Sequence, residues 1–188
     1  MAHRLAPEKD STTGLRAWAA SGLADHGWRL EIAGAGAERE RLQRLADELG
    51  VAESTTFLGW LPDPTGAFRT AGVLLAPAPG EPCGLSILEA MAQGLPVVAA
   101  DSGGTPETLG QVPGAAMFAP GDADAAAAQL QRLAGDDGAR AAYAVSVRDV
   151  QRRHLSLATH VDRLLELYAG SAGPATPSGV QPPPAPAG

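Results

Sequence analysis

The chain has 188 residues, enough for one domain of ordinary size and too few for two comfortable ones. Its 14 basic and 21 acidic residues leave a net charge of −7, which repels nucleic acid and anionic lipid at long range, so an anionic ligand must be held by local features. The single cysteine, Cys83, excludes an intrachain disulfide framework and a multi-cysteine zinc site. With no apolar run near the ~20 residues that cross a bilayer and no leader-like opening, the expected location is the cytoplasm.

The opening MAHRLAPEKD places Arg4 and Lys9 in a loop with almost no strand before it, so the first strand is expected to be absent or limited to residues 1–3. That abrupt start suggests a fragment or a late-start product lacking an N-terminal partner lobe and part of its first strand. Residues 28–33 (WRLEIA) read as a strand, and the spacing of Leu42, Leu45, Ala46 and Leu49 predicts a helix over 38–49. Further short strands are expected at 55–58, 73–76, 96–99 and 115–119, each followed by a turn signal and a helix candidate.

This βαβα rhythm implies an α/β fold, a Rossmann-like parallel sheet with helices on both faces, because parallel strands need crossover connections. Ligands in such folds sit outside the carboxyl ends of the strands. From 122 to 170 the pattern is helical, with Leu130, Leu133, Tyr143, Val147, Leu155, Leu164 and Leu167 as the expected buried stripe. Half of residues 171–188 are Pro or Gly and none is charged, so a disordered tail is expected there, and 1–170 is expected to form the domain.

The stretch most informative about chemistry is PAPGEPCGLSILEAMAQG, residues 77–94. Glu81 falls in a loop after a strand, Gly84 opens a helix, and Glu89 lies inside that helix among Leu85, Ile87, Leu88, Ala90 and Met91, which predicts a mostly buried helix. An ionised carboxylate is acceptor-only and can take both hydrogens of a vicinal diol, so Glu89 suits a ribose and Glu81 a sugar. Between them the free amides of Gly84, Leu85 and Ser86 at the helix start suit a phosphate. Two diol acceptors flanking an anion site describe a nucleotide-sugar. The competing view, an exposed turn glutamate and a surface helical one, stays open on the pair alone.

In context the Glu-x7-Glu of EPCGLSILE, followed by AMAQGLPVVA and DSGGTPE, resembles the C-terminal donor-binding domain of GT-B-fold, family 4 retaining glycosyltransferases (glycosyl transferases group 1). RLAPEK resembles that family's basic diphosphate motif, EIAGAGAERERL its strand and glycine turn, and TFLGWLPD the strand and loop beside the nucleobase. The resemblance runs from Arg4 to about Tyr168. It implies that Arg4 and Lys9 neutralise the diphosphate, that Glu81 and the amides of Cys83, Gly84 and Leu85 hold the donor sugar, and that Glu89 holds the ribose. Gly34, Ser86 and Trp60 would border the nucleotide, with the Gly59–Leu61 loop near the base. Arg4, Lys9 and Glu81 would be the catalytic set, with no cofactor or metal beyond the nucleoside-diphosphate sugar itself.

The implied partner is an N-terminal acceptor-binding lobe, in cis or in trans, and any peripheral membrane contact would come only through that lobe. Without it the chain is expected to bind donor but not transfer. A non-catalytic nucleotide-sugar-binding regulatory module and a nucleotide-sugar epimerase are the alternatives.

Three residues depart from the family pattern: His3 replaces a glycine before the arginine, Cys83 stands where an aromatic is frequent, and the turn Gly34–Ala35–Gly36 lacks a central acid. Other chemistries fit poorly. GAGAER carries Arg39 where a dinucleotide fingerprint has its third glycine, no GK[ST] follows a glycine loop, and His3, His26, His154 and His160 have no metal spacing. Ser86 lacks both a nucleophile elbow and a nearby histidine in sequence. Gly103 and Gly104 permit close backbone approach at the cleft.

Overall fold

A computed structural model describes residues 1–171. Five strands are present among the described residues: β1 (Leu30–Ala33), β2 (Thr55–Gly59), β3 (Leu74–Ala76), β4 (Val97–Ala100) and β5 (Ala116–Phe118). Around them run α1 (Ser11–Ser21), α2 (Arg39–Glu48), α3 (Thr65–Thr70), α4 (Leu85–Gln93), α5 (Thr105–Thr108), α6 (Ala123–Ala134), α7 (Asp137–Val150) and α8 (Leu157–Ser171). Every ladder is parallel, as the alternation of elements requires.

The sheet, however, is split. β1 pairs with β2, and β3, β4 and β5 form a separate three-stranded sheet in that order. Between the halves lies the N-terminal segment, which makes one parallel bridge, Ala2 to Ala33. Backbone bonds from His3 to the Ala33 carbonyl and from Leu5 to that of Ala35 extend this contact. The expected strand at 1–3 is thus reduced to a short run along β1.

The apolar core fills the space between strands and helices. β4 is wholly buried, and Val97, Val98, Ala99 and Ala100 are each 0% exposed. Tyr143 of α7 fastens this sheet from within: its hydroxyl donates to the Val97 carbonyl and accepts from the Ala116 amide, both at 3.0 Å.

Helix α1 has no counterpart among the expected elements. Its Gly14 breaks the apolar pattern because a Cβ there would come within 2.4 Å of the Met1 sulfur. The Asp10 side chain caps its start by accepting from the Thr13 amide at 3.2 Å, and Gly22 in the left-handed conformation ends it.

The long helical region is not one stripe. A π-helical turn at Gln151–Leu155 interrupts it. Leu130, Leu133, Tyr143 and Val147 are buried and Leu155 is half-buried, but Leu164 and Leu167 are 38% and 66% exposed. The compact unit spans Met1–Leu155, and residues from Ser156 on form a second unit to which α8 belongs. The tail expected over 171–188 lies outside the described residues, apart from Ser171 at the end of α8.

Candidate functional site

The site is built at the carboxyl ends of strands. The first loop leaves the N-terminal segment at Leu5, turns through a short 3-10 helix at Pro7–Lys9, and delivers Lys9 beside the start of α1. The second leaves β3 and carries Glu81 to the start of α4. Across 72 positions of sequence the Lys9 ammonium donates to the Glu81 carboxylate, with both side chains half-buried.

The other oxygen of Glu81 accepts from the Gly84 amide at 3.3 Å. Burial alone would raise the pKa of Glu81, but the Lys9 hydrogen bond and charge, together with the amides of Gly84 and Cys83, outweigh it and hold the carboxyl below its usual range. The expected basic residue and the expected sugar-binding acid are therefore one charge-paired unit.

The Glu81 loop is latched to the turn after β4. The Gly104 amide donates to the Glu81 carbonyl at 2.8 Å, and the Gly80 amide to Ser102 Oγ at 3.0 Å. A Cβ on Gly103 would stand 2.5 Å from the Glu81 carbonyl oxygen, and one on Gly104 2.2 Å from that of Pro82. Glycine is required at both by this close approach, and Gly103 also has φ +59°.

Helix α4 presents its N-terminus to the same loop. Its N-cap is Gly84 at φ +67°, and no side chain caps it. The Gly84 amide is taken by Glu81, which leaves Leu85 and Ser86 as the amides of the first turn without a capping partner.

Burial of this helix differs from the expectation. Only Ile87, Ala90 and Met91 face the core, while Leu85 is 69% exposed and Glu89 is exposed. Apolar residues on several sides of a nine-residue helix do not require several covered sides. The Glu89 carboxylate therefore bears no desolvation cost and needs no protein partner.

The remaining expected residues are less gathered. Arg4 is exposed and pairs with Glu8, four residues on, rather than with the Lys9–Glu81 unit. Gly34 does not offer its amide to a ligand, because that amide donates to the Gly59 carbonyl at 2.7 Å. The glycine serves packing: its Cβ would fall 1.8 Å from the His3 carbonyl oxygen. Trp60 follows β2 and is 73% exposed, and Cys83 is exposed with a free thiol.

His3 is a neighbour that sequence reading treated only as a departure. Its Nε2 pairs with Ser11 Oγ at 2.8 Å. Burial, then the positive charges of the Met1 amine and Lys9, push its pKa down to about 3, so the ring is neutral at pH 7. Among the described residues no His, Cys, Asp and Glu cluster is arranged to hold a metal ion, and no helix is long and apolar enough to cross a membrane.

A parallel α/β unit with a charge-paired acid, a base and an open helix N-terminus at its strand ends is the architecture of one half of a GT-B protein. Residues 1–149 match the family described as Glycosyl transferases group 1, and the chain belongs to that family. It is 34% identical over 146 residues to an exopolysaccharide phosphotransferase of Streptomyces coelicolor, covering 76% of this chain and 15% of that one. It is 37% identical over 151 residues to a D-inositol 3-phosphate glycosyltransferase of Thermomonospora curvata, covering 78% and 35%. In structure it resembles Anabaena HepE, solved in complex with UDP, at TM-score 0.82 and 22% identity over 90% of this chain and 47% of that one. The chain thus spans less than half of the length of each of these relatives.

Proposed function

We propose that the unit Met1–Leu155 is the donor-binding half of a retaining glycosyltransferase, one that takes a sugar from a nucleoside-diphosphate sugar to an acceptor hydroxyl. The observation that carries this reading is the meeting of Lys9, Glu81 and the α4 N-terminus at one strand-end loop. In this reading the diphosphate draws the Lys9 ammonium away from Glu81 and lies against the amides of Leu85 and Ser86. Sugar departure adds negative charge to the terminal phosphate, and the Lys9 cation, once seated there with the helix amides, stabilises that charge without a metal.

Arg4, exposed and held only by Glu8, is free to swing onto the same phosphates, where a guanidinium can bind two oxygens at once. Once released, Glu81 accepts from sugar hydroxyls while the Gly84 amide still donates to its other oxygen. Glu89, exposed on α4, accepts from both ribose hydroxyls, and the exposed Trp60 offers a face to the base.

The acceptor belongs to an N-terminal lobe supplied in cis or in trans. Placing the acceptor hydroxyl near the anomeric carbon can be worth ~7 to 11 kcal/mol of barrier, so the chain alone binds donor without transferring it. The exposed free thiol of Cys83 suits a reducing compartment, in keeping with a cytoplasmic location.

Calorimetry with UDP, GDP and ADP tests this. One of them should bind, Lys9→Met should weaken it about tenfold or more, and Glu89→Gln should weaken the nucleotide while leaving a free sugar phosphate unaffected. No heat with any of the three would refute the reading.

A further inference from the structure

The glycine turn after β1 contains one residue that the proposed function leaves unused. Arg39 stands where a dinucleotide fingerprint has its third glycine, at the first position of α2, and its amide closes the turn onto the Gly36 carbonyl at 3.3 Å. An arginine side chain carries five N–H donors and no acceptor.

That side chain runs back to the end of β2. The guanidinium stands 5.6 Å from the centre of the Phe57 ring, and its Nη2 donates to the Phe57 carbonyl at 3.3 Å. The two contacts fix the group in place and occupy one donor. Among the described residues Arg39 makes no ion pair, and the preceding acid, Glu38, is taken by Arg41. A half-buried guanidinium with donors to spare favours a ligand that brings an acceptor.

The end of β2 leaves room for one. The β1–β2 register slips so that Gly59, and not Leu58, stands opposite Ala33, and the Gly34 amide holds the Gly59 carbonyl at 2.7 Å. Gly59, at φ +76°, turns the chain there, and Trp60 leaves the strand 73% exposed. Around the point where residue 59 would carry a Cβ, the one neighbour within 4 Å among the described residues is Arg39 Nη1, at 3.9 Å. The space over Gly59 is therefore open, bordered by the guanidinium and reached beside the Trp60 turn. It lies at the carboxyl ends of β1 and β2, where ligands of parallel sheets sit.

We propose that Arg39 is a specificity-determining residue that reads the nucleobase of the donor, selecting a base with an exocyclic carbonyl, uracil or guanine, over its amino counterpart, cytosine or adenine. This deepens the donor-binding reading and rests on it. The O4 of uracil or the O6 of guanine accepts from Nη1, whereas the amino group at the same place in cytosine or adenine sets donor against donor. Glycine at 59 lets the ring come close, and the Phe57 carbonyl keeps the guanidinium from turning away. Arg39 contributes selectivity in this arrangement, while Lys9, Arg4 and Glu89 hold the parts that all nucleoside diphosphates share.

The test is calorimetry on the full chain with two matched pairs, UDP against CDP and IDP against ADP, and with inorganic pyrophosphate as a probe without a base. In the pair that binds more tightly, the carbonyl member should bind about tenfold or more better than the amino member. Arg39→Met should bring the two within about twofold by weakening the carbonyl member, with pyrophosphate affinity unchanged. A merely structural role would weaken both members together and leave their ratio intact, which would overturn the proposal. Equal binding of the two members by the unsubstituted chain would overturn it as well, and either result leaves the donor-binding reading standing. No heat with pyrophosphate or with any of the four nucleotides would refute that reading and this proposal together.

Discussion

The two loops that meet at the candidate site stand on unequal supports. The acid loop rises from β3, which pairs with the wholly buried β4, and it is latched to the turn at Ser102–Gly104. The basic loop rises from residues 1–5, whose backbone touches β1 through a few bonds, with Met1 and Leu5 in the core and Met1 and Ala2 also lining a cavity. Glu81 is thus positioned by a latched loop, whereas Lys9, on a short turn beyond Leu5, is positioned by that turn and by Glu81 itself. A pairing of this kind lets a ligand remove the cation from the acid without disturbing the core.

The sharpest way to break the weaker support is Gly34→Ala. Its Cβ would overlap the His3 carbonyl oxygen, and the backbone sits at φ +144°. Chemical denaturation should show a loss of about 3 kcal/mol or more, combining steric overlap with backbone strain. A loss below 0.5 kcal/mol would mean that residues 1–5 are not held as described.

On the stronger support, Gly104→Ala drives a Cβ onto the Pro82 carbonyl and forces the latch open. The expected stability cost is smaller, about 1 to 3 kcal/mol, because a surface turn can shift. Nucleotide affinity should fall with it, since Glu81 loses its fixed place. Unchanged affinity at reduced stability would separate the latch from the site.

At neutral pH the smallest effect concerns His3, whose ring lies close enough to Lys9 and Glu81 to feel both charges. Its pKa of about 3 in the folded chain lies below the ordinary 6.5, so the unfolded chain takes up a proton first as pH falls. Its contribution to stability is therefore complete above about pH 6.5 and is lost progressively toward pH 3, with a slope of at most ~1.4 kcal/mol per pH unit. His3→Asn should flatten the stability–pH curve by that slope between pH 6 and 4. Parallel curves for the two proteins would show a solvated ring.

Much of this fold is legible in the chain. The strands announce themselves as short β-branched or apolar runs and fall within one or two residues of the expected spans. Helix α1 does not, because Gly14 and two threonines dilute its pattern; the Asp10 cap and Gly22 stop were the available signals. The exposure of Glu89, Leu164 and Leu167 was hidden for a different reason: periodicity reports which side of a helix is apolar and not which side another element covers.

The site divides in the same way. That Glu81 and Lys9 belong together was legible only through the family's motifs, since nothing local links positions 72 apart. The packing role of Gly34 was hidden because a glycine after a strand serves equally for a phosphate or for a neighbouring backbone, and here His3 is the neighbour. The sheet is split in two, and near residues 1–5 there is a single bridge, to β1, that no pattern of side chains encodes.

The most direct measurement is a crystal structure of the chain with bound UDP or GDP, whichever calorimetry selects. The account predicts the terminal phosphate within hydrogen-bond distance of the Lys9 ammonium and of the Leu85 or Ser86 amide, with Lys9 withdrawn from Glu81. A nucleotide seated elsewhere, or Lys9 still paired to Glu81 beside a phosphate held by other groups, would contradict it.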